Sequence, residues 1–408
     1  MYDLEDLKEK ARQALDKKAS FGGDLDLNTF DRSFVPHKYL AEEEICAIPQ
    51  EEQKRLIMSG LDVTGHGRGG TYFQKDTSVI HCQSKEEGIQ VIPVTEALKN
   101  HDWVKDYFWK LVPVDQDKYT ASAMLELHDG YVIRALPGSK SVYPIQACLY
   151  LDKENLQQNV HNLIIAEEGS ELHIITGCAT SPHVKRGVHV GISEFFVKKG
   201  AKLSFTMIHN WAEEMDVRPR SVARVEEGGI FINNYICMKP VRSIQMYPTT
   251  YLVGDNATAM FYSIIVGTPG SYLDIGGRIY LKNRGSRAEI IQRSISNGAH
   301  IINRGHLIGE APEIKAHLEC KGLLLKGGII DSIPQLEGHV EGVDMSHEAA
   351  VGKVAQEEIN YLMSRGLSED QATSTIVRGF LSIDIKGLPE ALKAEIDRAI
   401  DTSNKDSM

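Results

Sequence analysis

Short extended segments recur along the middle of this chain at a nearly constant interval. Each opens on glycine or asparagine, continues with a small residue, and then alternates its side chains. They begin at Gly169 (GSELHIITGC), Gly200 (GAKLSFTMIHN), Gly228 (GGIFINNYIC), Asn256 (NATAMFYSII) and Gly285 (GSRAEIIQRS). Successive spacings are 31, 28, 28 and 29 residues. Strands repeating at such a period, with no helices between them, mark a solenoid in which each coil buries its face only against its neighbours. The expectation is a mainly β chain whose core, residues 116–345, is a parallel β-helix. A doubly wound sheet would need intervening helices, and a β-sandwich would not repeat so regularly.

The flanks read differently. Residues 1–115 mix helical patterns with short extended pieces. A first helix is marked by Leu4, Leu7, Ala11 and Leu15 at helical spacing. Residues 96–111 form a second candidate, whose Trp103, Phe108 and Trp109 make a packing surface. From Ser346 to residue 408 the pattern predicts a helical domain. One helix runs from Ala355 to Arg365 and ends at Gly366. A second is opened by a capping box at Ser368 and Gln371, and a third begins at Pro389. Apolar residues on these helices imply docking, onto the β-helix or onto a partner.

Charge and motifs narrow the function. A formal net charge of -11 repels nucleic acid and anionic membrane, so neither is expected as the main partner. No apolar run is long enough to cross a bilayer. The first residues read as an amphipathic helix, not a signal peptide, so a cytoplasmic location is expected. The six cysteines (Cys46, Cys82, Cys148, Cys178, Cys237 and Cys320) include no C-x-x-C pair, which favours reduced thiols over a disulfide framework. Gly65, Gly67 and Gly70 satisfy G-x-G-x-x-G, but a strand-like TYFQ follows where a phosphate site needs a helix. No Walker A loop, G-x-S-x-G or H-E-x-x-H occurs.

Stacking the repeats brings chemistry-bearing residues together. Nine positions after Gly169, Gly200 and Gly228 stand Cys178, His209 and Cys237. Equivalent positions on adjacent coils point the same way and lie about 4.8 Å apart. Such a ladder is either a soft-metal or sulfur-handling site or an interior stack of small side chains. Cys320, alternating with Ile314, Ala316 and Leu318, is a buried thiol or a ligand. His347 and Glu348 follow in Ser346-His347-Glu348. They are either a metal corner or residues at a helix start, where a carboxylate favours the positive end.

Several phrases carry a family resemblance. SHEAAVGKVAQEEINYLMSRGLSEDQATSTIVRGF (346–380) resembles the C-terminal signature of the SufB/SufD iron–sulfur cluster assembly scaffolds. DYFWKLVP (106–113), NLIIAEEGSELHIITGCA (162–179), VKKGAKL (197–203), HNW (209–211) and VGDNATAMFYSI (253–264) add to it. The similarity spans nearly the whole chain and is densest from 106 to 385.

The resemblance implies a right-handed parallel β-helix between a helical N-terminal region and a C-terminal helical domain that docks an ABC-type ATPase, SufC. In that family SufB and SufD pair through their β-helices, and a transient iron–sulfur cluster forms at the interface. The SufB cysteine and H-E-A glutamate match Cys320 and Glu348, and the SufD S-H-G histidine matches His347. One chain carrying both sets suits a homodimer, with Cys320 from one subunit and His347 from the other. Thr250 stands where the bacterial SufB sulfur-accepting cysteine is expected, just before the G-D-N phrase. Sulfide would then arrive free, or through Cys178 and Cys237. A scaffold, not an enzyme, is the reading implied. A SufD-like accessory subunit that binds no cluster is the alternative. A β-helix carbohydrate-active enzyme would need clustered carboxylates, which the repeats lack at equivalent positions.

Overall fold

The computed structural model describes residues 4–61, 67–325 and 327–381. It is mainly β, 46% strand and 18% helix, arranged as a parallel solenoid of about eight turns with helices at both termini. The repeat read from the sequence is the coil. In the first sheet Glu171, Lys202, Ile230, Thr258, Arg287, Lys315 and Asp344 are successive partners in parallel register. The five anticipated phases are therefore correct, and two further coils continue them. A second sheet forms the facing wall, stepping from Tyr131–Ala135 through Gln157–Ala166 and Arg186–Val197 and finishing at His300–Gly309 and Ile329–Gly338.

Backbone geometry explains the phase residues. Gly169, Gly200 and Gly228 have φ of 65°, 64° and 63°, and nothing lies within 4 Å of the place a Cβ would occupy. Glycine is required there by the left-handed turn, not by crowding. Asn256 and Glu313 adopt the same turn at φ 57° and 59°. Asparagine tolerates it better than most side chains do. Alternation along each strand then sends one set of side chains inward, where Leu203, Phe231, Ala259, Ile290 and Leu318 belong to one continuous core.

The N-terminal region covers the outside of the second sheet. The first helix is present at Leu4–Gln13. The second candidate is broken: a helix spans Val94–Asn100 and a 3-10 turn spans Asp102–Asp106, and then the chain leaves helical geometry. Glu194, fully buried on the solenoid wall, draws the backbone off course. Its carboxylate accepts from the amides of Trp109 (2.7 Å), Val112 (3.0 Å) and Leu111, and Trp109 takes φ 53°. Phe108 and Trp109 then pack around His161, with ring centroids 4.4 and 4.6 Å away.

The C-terminal expectation needs one correction. Ser346, His347 and Glu348 do not open the helical zone; they lie within the strand Asp344–Lys353. The solenoid register simply continues, pairing Lys315 with Asp344, and a run that can pair along an existing edge does so in preference to starting a helix. Helices follow at Gln356–Ser364 and Glu369–Leu381. The capping box is formed: the Ser368 amide donates to Gln371 Oε1 at 2.9 Å and the Gln371 amide to Ser368 Oγ at 3.2 Å. Val377 and Leu381 pack on outward residues of the first sheet, among them Ile236, Ile264 and Ile295. This helix therefore docks on the solenoid. The helix expected from Pro389 lies outside the described residues.

Candidate functional site

The Cys178–His209–Cys237 ladder exists as stacked. Cys178 pairs with His209 and His209 with Cys237 in direct register. All three are buried, and both thiols belong to the main core. His209 Nδ1 lies 2.8 Å from the Tyr235 hydroxyl, while its Nε2 is buried without a partner. Burial, with some help from the nearby His189, holds the imidazole pKa well below its usual value, so the ring is neutral. Burial pushes the Cys237 thiol up to about 12, against the lowering effect of hydrogen bonds with Tyr235 and the Lys239 backbone, and drives Cys178 higher still. Both sulfurs are therefore protonated thiols at neutral pH, whereas a ligand or nucleophile must be a thiolate.

Three coils further on, roughly 14 Å at about 4.8 Å per coil, lies Cys320. Its thiol faces the interior and donates to Gln292 Oε1 at 3.2 Å, and Gln292 Nε2 donates in turn to the Arg304 carbonyl at 3.3 Å. Burial raises the Cys320 pKa to about 11, and the facing Ser332 hydroxyl offsets part of that rise. His347 pairs in register with Leu318, an interior residue, and its Nε2 is buried without a partner. Glu348 pairs with Glu319. It points outward, half-exposed, with an oxygen 3.3 Å from Lys321 Nζ.

Period-two alternation thus splits the triplet. His347 shares the inner face with Cys320, and Glu348 takes the outer one. Within one chain Cys320, His347 and Glu348 do not converge on a single point.

What does converge was not anticipated. Ligand atoms of His317, Glu319 and Glu348 all lie within 4.8 Å of one another, the one group of at least three such residues among those described. His317 Nδ1 is 2.9 Å from Ser346 Oγ. Glu319 is paired with Lys321 at 2.8 Å and with Arg293. Burial pushes its pKa upward, but these two cations outweigh that and hold it low. The signal was available in the sequence. His317 and Glu319 alternate onto one face, and Glu348 follows Glu319 by 29 residues, one coil.

This end of the solenoid is also bare. The strands Ile329–Gly338 and Asp344–Lys353 are each the last of their sheet, paired on one side only among the described residues. Ile329 and Val351 there are 54% and 42% exposed.

Comparison with known proteins decides the family. The model for "SUF system FeS cluster assembly, SufBD core domain" matches residues 149–380. A curated relative from Methanothermobacter thermautotrophicus (strain Winter), named an iron–sulfur cluster assembly SufBD family protein, is 49% identical over 98% of this chain and 99% of its own length. One of the same family name from Archaeoglobus fulgidus is 54% identical over 87% of this chain and 96% of its own length. A Staphylococcus aureus (strain MRSA252) relative is 30% identical over 93% and 84%. The chain belongs to the SufBD family.

The SufBD core match contains every candidate residue above, from Cys178 to Glu348. Thr250, the departure noted in the sequence, stands on the facing wall between Ala223 and Ile279. It is fully buried and its hydroxyl has no partner. No described helix is long and apolar enough to cross a membrane.

Proposed function

We propose that this SufBD protein is a scaffold, not an enzyme, on which ferrous iron and sulfide assemble into a transient cluster in the cytoplasm. The observation that carries the reading is the coincidence of chemistry with an open end. Cys320, His347 and Glu348 occupy the last two coils of the first sheet, beside strand edges that still have hydrogen-bonding capacity. A second copy meeting those edges would bring a second cysteine, imidazole and carboxylate to the same seam. Mixed soft and hard ligands hold iron loosely, which suits a product that must be handed on.

The helices Gln356–Ser364 and Glu369–Leu381 are the proposed docking element for an ABC-type ATPase. The second of them packs on the outer face of the first sheet, whose strands carry the site, so nucleotide-driven movement of the partner would reach the seam through it. Sulfide reaches Cys320 either as the free anion or through Cys178 and Cys237. The burial that keeps both of those thiols protonated supports the first route. Anaerobic reconstitution with ferrous iron and sulfide tests the core of the reading. Cys320→Ser is expected to lose most of the visible cluster absorption, and undiminished absorption would remove Cys320 as a ligand.

A second reading has an observation of its own. Within one chain the Cys320 thiol is buried and protonated and Glu348 is held by Lys321, as in an accessory SufD-like subunit that binds no cluster. Co-purification with the ATPase alone separates the two: iron and sulfide in that complex support the scaffold, and a requirement for a different SufBD chain supports the accessory.

A further inference from the structure

Two strands in from the last strand of the second sheet, its outer face holds a cleft of about 340 Å³ where the N-terminal cover ends. Its floor is fixed. Arg220, buried, donates through Nε to Asp117 Oδ2 at 2.7 Å and through Nη2 to Gln245 Oε1 at 2.7 Å, with further bonds to the carbonyls of Pro219 and Gln245. The second acid in the cleft, Asp274, is committed to Arg304 through both of its oxygens. These four charges cancel in pairs.

Arg278 is left over. It forms no ion pair with any described carboxylate, and its Nε is buried without a hydrogen-bond partner. Its guanidinium carbon lies over the Tyr247 ring, 4.8 Å from the centroid, and the two side chains are also hydrogen-bonded. Tyr247 is itself pinned edge-on by Phe21, with ring centroids 5.3 Å apart. The terminal nitrogens of such an arginine fork suit a planar, bidentate acceptor. Beside it the wall is apolar: Leu111, Pro113, Val222 and Met246 line the same cleft, and Tyr251 closes it.

We infer that this cleft is a binding site for a small organic carboxylate with an apolar, ring-sized body. The carboxylate takes the terminal nitrogens of the Arg278 fork, and the body rests between Tyr251 and the Leu111–Pro113 wall. One uncompensated cation selects a monoanion, and the neutralised acids nearby do not oppose it. The cleft volume is in the range of small-molecule sites, which combine apolar walls with a few placed polar groups. Nothing in this site depends on cluster assembly.

Calorimetric titration of the full chain with benzoate tests the inference. Saturable one-site binding is expected, weakened at least tenfold by Arg278→Gln and by less in Arg278→Lys, which keeps the charge but loses the fork. Inorganic phosphate, charged but without an apolar body, is expected to bind at least tenfold more weakly than benzoate. Absence of saturable benzoate binding overturns the site, as does equal binding to Arg278→Gln. Phosphate binding as tight as benzoate overturns the ligand class. A readout on the unsubstituted protein guards against a folding defect: benzoate should slow phenylglyoxal modification of Arg278 but not of the exposed Arg284. Equal rates at Arg278 with and without benzoate overturn the proposal.

Discussion

The two ends of this solenoid are built on opposite rules. At the N-terminal end each sheet finishes on a strand of reversed direction. Gly70–Lys75 folds back on Ser78–Ser84 as an antiparallel hairpin, and Ile89–Pro93 caps Tyr131–Ala135 in the same way. The Glu194 carboxylate ties that end together, accepting from three amides and lying 2.8 Å from His161 Nε2. At the C-terminal end the edges are free among the described residues, apolar side chains are exposed, and His347 Nε2 is buried without a partner. A parallel coil cannot cap itself; capping needs a reversal of strand direction, which among the described residues the N-terminal segment provides. Unpaired strand edges beside exposed apolar side chains are the part of the surface on which an external partner has most to add.

That contrast can be broken experimentally. The largest effect is expected at the closed end. Glu194→Ala leaves three buried amides and His161 without their acceptor and should cost about 3–5 kcal/mol in denaturant unfolding; a loss under 1 kcal/mol would mean the cap is not held by this carboxylate.

Next comes acid sensitivity of the closed half. Burial holds the His189 pKa down to about 3, from an ordinary 6.5. The unfolded chain therefore binds the extra proton first, and this contribution is complete above pH 6.5 and is lost as pH falls towards 3. Its size is at most about 5 kcal/mol at about 1.36 kcal/mol per pKa unit. His189→Gln should flatten the stability profile across that window, and an unchanged profile would count against a neutral, buried His189.

In the repeating middle, Gly200→Ala should cost about 1–2 kcal/mol, the penalty for a side chain in left-handed backbone, although the added methyl meets no neighbour. The smallest effect on stability is expected at the open end. The paired substitution Ile333→Asp and Leu336→Asp should change unfolding by about 0.5 kcal/mol or less per site, yet shift the mass measured by light scattering from dimer to monomer. A large loss of stability with no change of mass would show that the open end is not an interface.

Much of the fold was legible because a solenoid writes its period into the chain. Five phase residues gave the coil length, and the Cys178–His209–Cys237 register followed from them. Two features were hidden for physical reasons. The helix expected over 96–111 stops early because Glu194, some 85 residues away from Trp109, captures its amides; no local pattern reports a distant acceptor. The Ser346–Glu348 strand resembled a helix start because local signals do not reveal a free sheet edge waiting for a partner. The candidate site was legible in its membership but not in its facing. The family resemblance grouped Cys320, His347 and Glu348; carrying the coil spacing one step past residue 345, with one further alternation, would have separated His347 from Glu348 and found His317 and Glu319.

The regular register also makes the molecule a ruler. Each coil adds a fixed thickness and little else, because its core contacts repeat those of its neighbours. Duplicating residues 258–286, one full coil of 29 residues, would move the Cys237 layer away from the Cys320 layer by a single strand spacing while preserving both faces. The distance between the buried thiols and the open end is thus a countable quantity, set by how many turns separate them.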